Sequence, residues 1–182
     1  MISPDVLKSL APSLTNRLEQ AVAAQRLPGL AVGVVLDQEL AWFQGFGRAT
    51  IETPKPPSAQ TLFRVASITK TFTAACVLQL RDAGKLSLDD PLVRHLPEYK
   101  AVRPRADGVE GVTLRRLLSH HAGIETEAPL PCWDVLEFPT REELLKSFPQ
   151  MEVVIPQDSA FKYSNLAFGL LREAGSRISG RP

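Results

Sequence analysis

Ser67-Ile68-Thr69-Lys70 sets a serine hydroxyl three residues ahead of a lysine amine. On a helix, positions three apart are neighbours on one face, so such an amine can reach such a hydroxyl. A serine is a poor nucleophile at neutral pH and needs a base within hydrogen-bond reach. A desolvated lysine can serve, because burial disfavours its ammonium form. A helix start also supplies backbone N–H groups that stabilise an oxyanion. The chemistry predicted is acyl transfer: attack on an ester, amide or lactam carbonyl, then deacylation by water. The pattern alone is a weak signal. With twelve serines and seven lysines in 182 residues, chance supplies about 0.5 of a match. A second match, Ser159 to Lys162, is indeed present. It follows Pro156-Gln157-Asp158, a turn signal rather than a helix start, so Ser67 is the candidate.

The elements that must position this pair read as follows. Apolar residues Leu14, Leu18, Ala21, Val22 and Ala24 predict a helix over about 14–26, stopped by Pro28 and Gly29. Leu30 to Leu36 reads as a buried strand, Asp37-Gln38 as a turn and Leu40 to Phe46 as the returning strand. This hairpin is the only sheet material the sequence offers with clarity. Ile68 to Ala83 lacks Gly and Pro and reads as a buried helix, with Gly84 just past its end. Burial there would shield Lys70, against the blander reading of a snorkelling surface lysine. Leu88-Asp89-Asp90-Pro91 predicts a capped short helix through His95, and Thr113 to Ser119 another. Residues 125–139 are irregular. Thr140-Arg141-Glu142-Glu143 fits a capping box for a helix to about Phe148. A last helix runs from Leu166 to Ile178, with Gly180 and Pro182 beyond it. The order predicts an α+β fold, divided as 1–60 (helix and hairpin) and 61–182 (helical region). A lone hairpin of buried-type strands is marginal, so further strands are expected after Pro182.

Three stretches occur in order: FRVASITKTFTA around Ser67, LLSHHAGI (Leu117 to Ile124) and FKYSN (Phe161 to Asn165). Together they resemble the class C β-lactamase and D-alanyl-D-alanine carboxypeptidase family of serine hydrolases, which also contains esterases and peptidases. The resemblance spans nearly the whole chain and implies the amino-terminal half of a β-lactamase/transpeptidase-like fold. It implies that Ser67 is acylated, that Lys70 lowers its proton affinity, and that Tyr163 is the general base or relay. Asn165 is then the amide that holds the substrate and the lysine. The family's third element, Lys-Thr-Gly or His-x-Gly on a late strand, is not found after Asn165. Its absence leaves a catalytically inactive fragment or scaffold as the alternative. A peptidoglycan transpeptidase would share the acylation chemistry.

Bulk properties narrow the classes. Hydrophobic residues make up 44% and charged residues 23%, as in an ordinary globular protein. A net charge of +1 with scattered basic residues argues against nucleic acid as a partner. Arg103 and Arg105, followed by Asp107, and the pair Arg115-Arg116 read as solvated surface. The expected partner is a small-molecule or peptide substrate. Cys76 reads as a small buried hydrophobe, and two cysteines suggest a reducing compartment. No secretory pattern or membrane-length apolar run is visible, so the expected location is cytoplasmic. His120-His121 invites a metal reading. Adjacent residues on a turn point apart, however, and His95 is the only other imidazole, so a structural role at a helix end is expected, with Gly123 supplying a positive φ. Trp42 and Trp133 read as core and loop-packing residues. No metal and no organic cofactor is implied.

Overall fold

The structure is a computed structural model and describes residues 3–105 and 111–181; Asp107 and Pro182 lie outside the described residues. The described chain falls into two compact units, Met1–Arg64 and Val65–Pro182.

In the first unit, α1 (Pro4–Ala24) starts ten residues earlier than its apolar spacing predicts. The reason is local. The Ser3 hydroxyl accepts the Val6 N–H, and Pro4 occupies the first turn, where its missing N–H costs nothing. Strands β1 (Gly29–Leu36) and β2 (Glu39–Gly47) form the predicted antiparallel hairpin. Asp37 and Gln38 both have positive φ, as a two-residue hairpin turn requires. The register slips by one residue after Val34, so that Val35 faces Leu40. The expectation of a buried β1 fails: no residue of it is fully buried. Within this unit α1 packs on the hairpin, and the backbone at Pro57 lies close against Gly45 of β2.

The second unit is mainly helical. A 3-10 turn, Ala66–Ile68, leads into α2 (Thr69–Asp82). Then come α3 (Leu92–His95), a 3-10 turn at Pro97–Ala101, β3 (Arg103–Pro104), α4 (Leu114–Leu118) and α5 (Arg141–Lys146). A 3-10 turn at Phe148–Gln150, β4 (Glu152–Val153) and α6 (Asn165–Ser179) complete it. The pairing of β3 with β4 is parallel and two residues long, too short to leave a pattern in the sequence.

Leu92, Leu96, Leu114, Leu117, Ile124, Phe148, Met151, Leu170 and Leu171 form the fully buried centre of this unit. They come from α3, α4, α6 and the segments between them. Burying each large apolar side chain of this cluster contributes ~2 kcal/mol. The capping box at Thr140 is present in full. Glu173 of α6 is buried and bridges Arg141 of α5 and Arg177 one turn along α6, at 2.5–2.6 Å. Arg141 beside it holds the Glu173 carboxyl below the usual carboxylate range.

Three expectations need correction. Helix α2 is not buried: Val77 is its one buried residue, and Phe72 is 65% exposed. Within its unit it packs along one side, chiefly on α6. Cys76 is accordingly exposed, on a groove between α2 and α6. At α3 the predicted acidic cap is absent. Asp90 is turned inward instead, where it accepts from the Ser87 N–H, Arg94 and His95.

Candidate active site

All four candidate residues belong to the second unit, and they converge. Ser67 lies in the 3-10 turn that opens α2, directly after Ala66, whose φ of 44° is rare for a residue with a Cβ. Lys70 is one turn on, in the first turn of α2. Its Nζ donates to Ser67 Oγ at 3.3 Å and to Asn165 Oδ1 at 2.5 Å. Ser67 Oγ and Tyr163 Oη share a hydrogen bond of 2.7 Å across 96 residues of sequence. Lys70 Nζ also stands 4.8 Å from the centre of the Tyr163 ring. The Lys70 ammonium, and after it the Ser67 hydroxyl, hold the Tyr163 phenol below its ordinary value of 10.0. The triad is open to solvent: Ser67 is exposed and Tyr163 is 37% exposed. The expected burial of Lys70 is only partial.

Local capping explains why Tyr163 and Asn165 stand where they do. The helix cap is Ser164. Ser164 Oγ accepts the Ala167 N–H at 2.9 Å and donates to the Glu125 carbonyl at 2.6 Å. The first two N–H groups of α6, on Asn165 and Leu166, both donate to the Thr126 carbonyl. These donors have no partner inside a helix, so the 125–126 backbone satisfies them. Tyr163 and Asn165, on either side of the buried Ser164, are thereby aimed outward at Lys70.

Two residues that the sequence reading left out of the site complete it. The Asn165 amide N–H donates to Glu127 Oε1, which also accepts the Trp133 indole N–H at 3.0 Å. This carboxylate fixes the amide's direction: with Nδ2 engaged, the oxygen is left to face Lys70. Trp133 packs edge-on against Phe138, with ring centres 5.0 Å apart, so its loop role extends to holding Glu127. Trp42, expected in the core, is half-buried in the hairpin. The second residue is His120. Its ring lies 4.6 Å from that of Tyr163, and its Nδ1 accepts the Ser164 N–H at 3.1 Å. No sequence pattern pairs residues 38 and 44 positions apart, as these are.

The remaining candidates stay apart. His95 pairs with Asp90 at 3.0 Å. His121 Nδ1 lies 2.8 Å from the Ser119 carbonyl oxygen. Among the described residues, no three His, Cys, Asp or Glu side chains gather as a metal site would require. No helix among them is long and apolar enough to cross a membrane.

Comparison with known proteins gives consistent results. Residues 14–182 match the family model described as Beta-lactamase. Esterase EstB of Burkholderia gladioli is 42% identical over 118 residues, covering 64% of this chain and 29% of the esterase. The D-alanyl-D-alanine-carboxypeptidase/endopeptidase AmpH of Escherichia coli is 32% identical over 156 residues, 85% of this chain and 40% of that protein. The octameric penicillin-binding protein homologue from Pyrococcus abyssi superposes with a TM-score of 0.77 at 27% identity. That match covers 94% of this chain and 40% of that one. The chain thus spans well under half the length of these relatives. Its fold is α+β and β-lactamase/transpeptidase-like.

Proposed function

The chain belongs to the β-lactamase family, and on that premise we propose that it is a serine hydrolase that forms an acyl-enzyme on Ser67. One observation carries the reading: Ser67 Oγ lies within hydrogen-bond reach of both Tyr163 Oη, at 2.7 Å, and Lys70 Nζ, at 3.3 Å. Hydrolase relatives, an esterase and a carboxypeptidase among them, support the class.

The roles follow from charge. Tyr163 oxygen, made more acidic by Lys70, carries more phenolate near neutral pH than a free phenol does, and is the general base. It takes the Ser67 proton as Oγ bonds to the substrate carbonyl carbon. It returns that proton to the departing alcohol or amine as the carbonyl carbon's bond to it breaks. Water then repeats both steps and frees Ser67 and the acid. Lys70, held by Asn165 Oδ1, steadies the phenolate. The Ser67 N–H, in the first turn where helix donors lack internal partners, is one donor to the oxyanion. The substrate is an ester, amide or lactam of a small molecule or peptide.

A fluorescent fluorophosphonate tests the assignment, because it reports a nucleophilic serine without needing the natural substrate. The expected result is one label per chain, lost in Ser67→Ala. Label that persists in Ser67→Ala removes Ser67 from the role. A wild-type chain that takes no label favours the non-catalytic alternative.

A further inference from the structure

His120 stands at a corner that the proposed chemistry leaves unexplained. Its backbone has φ 60°, a left-handed conformation that a β-carbon disfavours, and three residues later Gly123 repeats it at 69°. The corner is a seat for the chain that delivers Tyr163. The carbonyls of His120, His121 and Gly123 accept the N–H groups of Lys162, Asp158, and Val154 with Ile155. A β-carbon on Gly123 would lie 2.0 Å from the Ile155 carbonyl oxygen, so the two strands of this seat are in close contact. The His120 side chain then reaches the residue next to the phenol. Nδ1 accepts the Ser164 N–H at 3.1 Å, which requires that nitrogen to be free of a proton. The ring itself stacks on Tyr163 at 4.6 Å with a 34° tilt, and is flanked by Phe168 at 5.2 Å and Phe161 at 5.5 Å.

We propose that His120 is the positioning residue for Tyr163: a neutral imidazole that holds the 163–164 backbone through Nδ1 and carries the phenol on its face. This rests on the reading of Tyr163 as the base. The charged and titratable groups around the ring agree with a neutral state. Burial first, then Lys70 from α2 and the adjacent His121, oppose a positive charge on it, and Tyr163 offers only its ring face. Protonating His120 places a donor where Ser164 already donates. The sign is therefore acid-sensitive: the arrangement is complete above the ordinary histidine value of 6.5 and fails as pH falls beneath it.

Two near-isosteric variants separate this from plain packing. His120→Asn keeps an acceptor near the Nδ1 position, whereas His120→Gln moves it outward and leaves the Ser164 N–H without a partner. The probe is tyrosinate absorbance on titration. The chain has two tyrosines, Tyr99 and Tyr163. Burial pushes the Tyr99 phenol up while Lys70 pulls Tyr163 down, so the lower step belongs to Tyr163. The expected result is a lower step shifted a little upward in His120→Asn, which loses the ring face but keeps the acceptor, and shifted further in His120→Gln, which loses both. With a chromogenic ester, kcat in His120→Gln falls by about tenfold to a hundredfold with KM little changed. An unmoved lower step and unchanged kcat in His120→Gln overturn the proposal, and so does an equal loss in both variants. The upper step, from Tyr99 in the core, reports folding in each variant. If the wild-type chain forms no acyl-enzyme, the titration still tests His120 by itself.

Discussion

Two tetrapeptides in this chain carry the same spacing and behave differently. At Ser67 and Lys70 the residues follow one another into α2, and the amine returns to the hydroxyl at 3.3 Å. At Ser159 and Lys162 they lie in a bend and the irregular segment after it. There the serine hydroxyl donates to the Pro156 carbonyl at 2.6 Å, and the lysine amine donates to Thr126 Oγ1 at 3.0 Å. Each group has a partner, but the two do not meet. The spacing is therefore a statement about chemistry only once the backbone is helical. The second tetrapeptide serves the first in another way: its backbone belongs to the strap, seated on His120 to Gly123, that delivers Tyr163.

That contrast can be broken at graded cost. Ser67→Ala is expected to lower acylation by about a thousandfold or more, and Ser159→Ala to leave the rate within about twofold, both read with a chromogenic ester. Lys70→Met is expected to cost about a hundredfold or more. It also changes the pH profile. With the phenol held below 10.0, the wild-type rate rises with pH through a Tyr163 step centred below that value; without Lys70 the rise moves up. Lys162→Met, the matching change in the other tetrapeptide, is expected to cost about twofold and leave the profile in place.

Gly123→Ala attacks the strap rather than either pair. The added carbon collides with the Ile155 carbonyl and the φ is unfavourable, so a loss of about 2 kcal/mol or more in stability is expected. Urea unfolding measures it, and a fall in kcat should accompany it. Glu127→Ala is the mildest of the site changes. It frees the Asn165 amide to rotate, with an expected loss of about tenfold in kcat, since a hydrogen bond to a charged group contributes about 1.5 kcal/mol. Full activity in Glu127→Ala would show that Lys70 holds Asn165 unaided.

How much of this was legible in advance follows from the range of each interaction. The capping box at Thr140, the hairpin turn at Asp37-Gln38 and Gly84 past the end of α2 are decided within a few residues, and all were readable. Burial was not. Valines in β1 and the apolar run of α2 point to a shielded setting, yet no residue of β1 is fully buried and in α2 only Val77 is. Composition reports what a segment can bury, not what lies against it. The start of α1 was missed because its signal is Ser3-Pro4-Asp5, a cap rather than an apolar period. Ser67, Lys70, Tyr163 and Asn165 could be named because their stretches resemble a family in order. Glu127 and His120 could not, because each acts through a contact made only by the folded chain.

The most direct test of the central claim places the two tetrapeptides in competition. The protein is incubated with an excess of an activated ester, quenched in acid during turnover, digested and mapped by mass spectrometry. The account predicts a single acylated peptide, the one containing Ser67, with the Ser159 peptide unmodified. Acyl groups on Ser159 in comparable yield, or on neither serine while ester is being consumed, would contradict it.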